Sequence, residues 1–206
     1  MSTAHRVIKN LRQRISLAGC GCFSAVFSVK AGDKVIKVGS TTNDPWLDFY
    51  ELVIKPNPNN PFVPKVYSVY IDSENDYYIA TMEKLQENTS KLHELYKDYV
   101  TSWITPDDLV NQLKESKAGL SDEEISQLLD ILDCVKQHTD YFRGTTEPGF
   151  YTDDTDDPAD YIRSLDMHAG NFMMRDNILV ITDPWCLGDM ESQDDLSDWV
   201  EHIKSK

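Results

Sequence analysis

The chain changes its hydrophobic period once, and that change limits the folds open to it. Between Leu17 and Met82 apolar and polar residues alternate in short runs, as strands require. Beyond Met82 apolar residues recur at helical spacing. In the first part, Ser24 to Lys30 alternates (SAVFSVK), residues 31–34 (AGDK) make a turn, and Val35 to Val38 forms a short apolar strand. Lys65 to Ile71 and Tyr77 to Met82 add two more strands around a turn near Asp72, Asn75 and Asp76. Residues 45–54 (PWLDFYELVI) read as a helix, with Asp44 as N-cap and Pro45 at the first position. The reading is about five strands and one helix.

The second part predicts helices over residues 90–100, 105–116 and 121–141. The last has a capping box in SDEE and an apolar stripe of Ile125, Leu128, Leu129, Leu132 and Val135, which is core packing. Residues 144–160 contain DDTDDPAD and read as an exposed loop. Leu165 to Asp183 reads as loop, strand, turn and strand. Short helices are expected at 4–16 and near 194–203. Together these elements predict an α+β chain with a small antiparallel sheet lobe and a mostly helical second lobe. Clefts between lobes commonly hold ligands.

Charge narrows the partners. With 35 acidic and 20 basic residues the formal net charge is −15. Broad nucleic-acid binding requires cationic side chains facing phosphates, so no direct nucleic-acid binding is expected. Most of this acidity is solvation of the surface. The MSTAHRVIKNLRQRI start lacks an apolar core, and no stretch has the length to cross a bilayer, so no membrane partner is expected. Cys20 and Cys22 are too close for an ordinary disulfide. No second Cys/His pair at zinc spacing accompanies them, so a reduced, cytoplasmic setting fits the four cysteines.

Three motifs carry chemistry. In GCGCFSAVF, residues 19–27, Gly19 and Gly21 open a hairpin whose backbone N–H groups are able to approach phosphate oxygens. Alone, it is equally an ordinary turn. Lys37 sits on the VIKV strand about 16 residues after Gly21, the order and spacing of a lysine that binds α- and β-phosphates. Alone, it reads as an edge-strand lysine facing water. The third motif, LDMHAGNFMMRDNILVITDP, places Asp166 and Asn171 five apart in a loop and Asp183 after a hairpin. Two carboxylates and an amide gathered there suit Mg²⁺ shared with substrate phosphates, plus one carboxylate beside an attacking hydroxyl.

With these residues in order, the chain resembles the protein-kinase-like superfamily, and more closely the early serine/threonine protein kinases of short-tailed, T-seven-like bacteriophages. The resemblance is densest at GxFSAV, VIKVG, FVPKVYSV and DMHAGNFM…ITDP, and is weak between residues 86 and 160. It implies a single kinase-like domain with an N-lobe at 1–82, a hinge at 83–87 and a reduced C-lobe at 88–206. It implies ATP and Mg²⁺ as ligands. Asp166 would be the catalytic-loop base, and Asn171 and Asp183 the metal ligands. Gly19, Gly21, Ser24, Val26 and Lys37 would hold the nucleotide, with Met82, Glu83 and Leu85 at the adenine hinge. Glu51 is the preferred helix partner of Lys37, with Asp48 as the alternative. His168 stands where many protein kinases carry lysine, and either donates to a phosphate or orients the loop.

The function implied is transfer of the ATP γ-phosphate to Ser/Thr of host proteins in the bacterial cytoplasm, with autophosphorylation at residues such as Ser24, Ser164 or Thr182. Two alternatives stand beside it: a small-molecule phosphotransferase of the aminoglycoside-kinase type, and a non-catalytic kinase-like inhibitor of a host factor. No long activation segment or APE-like element follows Asp183, so a protein substrate must be held some other way. The host-transcription activity implied for the phage kinases' extra C-terminal region is not carried over.

Overall fold

The computed structural model describes residues 15–20, 23–29, 32–116, 118–143 and 163–187. The expected helices at 4–16 and 194–203, Gly21, and the acidic 153–160 loop lie outside the described residues, apart from Ile15 and Ser16, which begin a strand. The chain is α+β, with a five-stranded antiparallel sheet. It divides into two compact units. One takes the described residues up to Leu47 together with Lys65–Lys84. The other takes Asp48–Pro64 and the described residues from Leu85 on.

The first unit is the sheet: β1 (Ile15–Cys20), β2 (Ser24–Val29), β3 (Lys34–Gly39), β4 (Val66–Asp72) and β5 (Tyr77–Glu83), in the order β1-β2-β3-β5-β4. Register gives the sheet two different faces, because residues directly opposite on neighbouring strands point the same way. Ile15, Ala25, Phe27 and Val38 are buried on one face, with Leu17, Val29, Ile36 and Ile79 packed against them. The other face has a row of Gly19 opposite Val26, Val26 opposite Lys37, and Lys37 opposite Ala80. A bulge between Leu17 and Gly19 sets the first pair of that row.

The second unit holds most of the helices. The 45–54 helix of the sequence reading becomes a single turn, α1 (Trp46–Phe49), that continues as a π-helical turn over Tyr50–Ile54. Residues 48–64 group with this unit, although the sequence assigned them to the sheet lobe. The reason is visible in their contacts. Val53, Ile54, Phe62 and Val63 are buried. Asn60 Nδ2 donates to Gln127 O at 2.9 Å. The Arg175 guanidinium donates to Pro61 O at 2.6 Å and Val63 O at 2.9 Å. The helices are α2 (Leu92–Val100), α3 (Pro106–Glu115) and α4 (Asp122–Arg143). The Ser121–Glu124 capping box forms as the sequence predicts, and Ile125, Leu128, Leu132 and Val135 are buried. A second box, Thr105 with Asp108, starts α3.

Five short strands complete this unit among the described residues. β6 (Gln86–Glu87) pairs with β8 (Phe172–Arg175), which forms a hairpin with β9 (Ile178–Ile181). Asp176 sits at the hairpin tip with φ 54°, a conformation Asp tolerates better than most residues. β7 (Arg163–Leu165) pairs with β10 (Trp185–Leu187). Among the described residues no helix is long and apolar enough to cross a membrane.

Candidate functional site

Two clusters contain the chemistry-bearing residues, one in each unit. In the second unit, backbone ladders bring Asp166, Asn171 and Asp183 into one neighbourhood. Trp185 pairs with Leu165, so the β7–β10 ladder runs one step further and the Asp166 N–H donates to Pro184 O at 2.8 Å. Phe172 pairs with Ile181, so the β8–β9 ladder also gains a step. The Thr182 N–H donates to Asn171 O at 3.0 Å, and Thr182 Oγ1 donates to the same oxygen at 2.8 Å. Asn171 closes the ring: its Nδ2 donates to Asp166 O at 2.7 Å and to Asp166 Oδ2 at 3.0 Å. Asp183 lies between Thr182 and Pro184, both members of the ring.

Both of those Asn171 bonds use its amide N–H groups, which leaves Oδ1 as an oxygen ligand. The donor set of Asn171 Oδ1 and the Asp183 carboxylate is hard and short. Among the described residues no group of three His, Cys, Asp or Glu is arranged to hold a metal by itself. That chemistry fits Mg²⁺, which takes one or two carboxylates plus substrate phosphates and keeps waters, rather than a metal that needs a full protein cage.

His168 has a defined tautomer. Its Nδ1 accepts the Gly170 N–H at 3.0 Å, which puts the proton on Nε2, 3.7 Å from Asp166 Oδ2. Gly170 leaves room for this ring position: a Cβ there would sit 2.7 Å from His168 Cε1, so the ring would have to shift. His168 thus orients toward the Asp166 carboxylate, and its side chain is 62% exposed. The β7–β10 ladder is anchored by Trp185, buried, whose Nε1–H donates to Thr139 Oγ1 at 3.0 Å and whose ring meets Phe49 edge-on. The sequence reading missed Trp185 and Thr139 as supports, because no local pattern connects residues so far apart in the chain.

In the first unit, Lys37 is buried, contrary to the edge-strand reading. β3 is the middle strand of five, so Lys37 has covered neighbours on both sides. Its Nζ lies 3.5 Å from Asp44 Oδ2, with side-chain exposures of 5% and 3%. Asp44 does cap the helix, accepting the Trp46 N–H on Oδ1 at 3.0 Å. Its Oδ2 also accepts the Tyr78 hydroxyl. The expected partner, Glu51, is exposed and bonds Lys55 at 2.6 Å, an i,i+4 pair on its own helical turn. That proton-sharing with Glu51 raises the Lys55 pKa. Asp48, the alternative, groups with Glu51 in the second unit. The carboxylate that the first unit places against Lys37 is Asp44, which the sequence reading had assigned only to capping.

Gly19, Ser24, Val26, Lys37 and Met82 all fall on the same face of the sheet by register. Gly19 is exposed, with nothing within 4 Å of where a Cβ would stand. Ser24 is 9% exposed. At the expected hinge, the Glu83 N–H donates to Lys65 O at 3.0 Å and its carboxylate accepts the Lys65 N–H at 2.6 Å. Leu85, half-buried, belongs to the second unit.

No protein-family model matches the chain, and none of the curated proteins compared with it is similar.

Proposed function

We propose that the chain is an ATP-dependent serine/threonine protein kinase of the kind found in T-seven-like phages, acting on host proteins in the bacterial cytoplasm. The observation that supports it most is the ring of hydrogen bonds through Asp166, Asn171, Thr182 and Pro184. It joins the Asp166 carboxylate to the Asn171 amide and holds the residues on both sides of Asp183, in a segment that is otherwise a plain hairpin. Phosphoryl transfer needs this little from a protein: positioned oxygens, charge neutralisation and one carboxylate near the acceptor hydroxyl.

In this reading Asp166 accepts the proton of the Ser/Thr hydroxyl as it attacks the γ-phosphorus, and the bond from that phosphorus to the ADP oxygen breaks. Asn171 and Asp183 would hold Mg²⁺, which when bound would supply neutralisation of the phosphate charge. Lys37 meets the nucleotide phosphates. Gly19 and Val26 line the same sheet face, and the fold is read as a trimmed protein-kinase-like one with a hinge near 83–87. His168 turns its Nε2 toward the Asp166 carboxylate, 3.7 Å away, on the side where the acceptor hydroxyl is proposed to bind.

The test is γ-labelled ATP with a host lysate, run beside Asp166→Ala. Label in protein bands that Asp166→Ala fails to produce supports the kinase. Label only in a soluble small product would move the acceptor to a small molecule. An infected-cell effect that survives Asp166→Ala, with no transfer by the wild type, would make the chain a binding protein instead.

A further inference from the structure

The burial of Lys37 with Asp44 is the feature that the motif reading leaves unexplained. A buried ion pair is poor at stabilising a fold, since desolvation of both charges offsets their attraction. This one is built with more parts than stability requires. Asp44 uses its two oxygens for different tasks: Oδ1 takes the Trp46 N–H, while Oδ2 takes the Tyr78 hydroxyl and faces Lys37. The Trp46 ring stacks on Tyr78 at 5.3 Å and 13°, and Lys37 Nζ lies 5.3 Å from the Trp46 centroid. Gly39 supplies the space. A Cβ there would stand 2.5 Å from Asp44 Oδ2 and 2.7 Å from the Tyr78 hydroxyl.

The turn that returns Asp44 to Lys37 is pinned as well. The Asp44 N–H donates to Ser40 O at 3.3 Å, and Ser40 Oγ accepts the Thr42 and Asn43 N–H groups. Asp76, from the β4–β5 turn, accepts from Ser40 Oγ, Thr41 Oγ1 and Thr42. All of these residues belong to the first unit.

We propose that Asp44 is a positioning residue for Lys37, held at that task by Tyr78 and the Trp46 N–H. The proposal rests on the phosphotransferase reading above. The separation of 3.5 Å is longer than a tight charge-assisted bond of about 2.7–2.9 Å. Asp44 therefore draws the ammonium to the face of Gly19 and Val26 without a tight bond of its own, and an anionic oxygen of a nucleotide polyphosphate is the ligand this geometry suits. Because the tether lies within the first unit, Lys37 is set before any nucleotide binds.

The experiment uses the full chain with labelled MgATP. ATP binding is measured by equilibrium dialysis, and KM and kcat by phosphate transfer, for wild type, Asp44→Asn and Tyr78→Phe. Asp44→Asn keeps the size and the acceptor for Trp46 N–H but loses the charge, and KM for ATP should rise on the order of tenfold with kcat little changed. Tyr78→Phe keeps the stacked ring, so it should fold even where Asp44→Asn does not, and KM should rise about threefold. If folded Tyr78→Phe and Asp44→Asn both keep the wild-type KM, Asp44 is merely structural and this proposal fails while the kinase reading stands. If the wild-type chain neither binds nor consumes ATP, the kinase reading fails and takes the proposal with it.

Discussion

The Lys37 cluster and the Asp166 cluster are both made of charged and polar side chains, yet they are built in opposite ways. Lys37 and Asp44 are almost fully buried and are held by side chains: a phenol, an indole ring and a glycine-sized gap. Asp166, Asn171 and His168 are part-buried or exposed, and backbone ladders hold them. A buried charge depends on its partner for stability, so the first cluster ties function to folding. A half-exposed carboxylate can be solvated when a partner is lost, so the second cluster can be changed at small cost to the fold.

The largest effect should come from Asp44→Ala. It removes a buried carboxylate that faces Lys37 and accepts the Tyr78 hydroxyl and the Trp46 N–H, and should lower stability by about 3–5 kcal/mol in urea unfolding. Adding Lys37→Met should recover part of that loss, because the double variant removes both buried charges. Little loss in Asp44→Ala would break the contrast between the clusters. Gly39→Ala comes next. Its Cβ would press on Asp44 and Tyr78, so a loss of about 1–3 kcal/mol is expected by the same measurement.

Asp166→Ala should cost only about 0.5–1.5 kcal/mol, the worth of the Asn171 bond, while phosphate transfer falls by about 10²–10⁴-fold. A thermal melt beside the labelled-ATP assay separates the two. Destabilisation as large as that of Asp44→Ala would show that the two clusters do not differ in kind.

The smallest effect concerns pH. Burial pushes the Asp76 pKa up, but hydrogen bonds from Thr41, Thr42 and Ser40 outweigh it and hold it below the usual carboxylate value. A depressed folded-state pKa contributes stability above the unfolded value and loses it as the pH falls through the folded one. Asp76→Asn should therefore lower the melting temperature slightly at neutral pH. The gap from wild type should close in acid, below about pH 4. A gap that stays constant with pH would assign the effect to hydrogen bonding alone.

Much of the strand pattern was legible in the sequence, because alternation depends only on near neighbours: SAVFSV, VIKV and most of the Lys65–Ile71 and Tyr77–Met82 runs lie in strands. The Ser121 capping box and most of the stripe behind it were legible for the same reason. β6, β7 and β10 were not, since strands of two or three residues carry no period and exist only through their partners. The helix at 45–54 was expected whole and forms as one α-turn and a π-turn.

The sequence alone determined which atoms are present for chemistry: a lysine on a strand, and two carboxylates and an amide around a hairpin. Local periodicity also determined most of the elements that carry them. Tertiary structure decided which of these groups meet. Asp44 faces Lys37 while Glu51 turns to Lys55, and Asn171 closes onto Asp166. It also decided that residues 48–64 pack with the helices rather than the sheet. The reason is that spacing along a chain fixes direction within one element, whereas pairing between elements depends on register, on burial and on gaps such as that at Gly39.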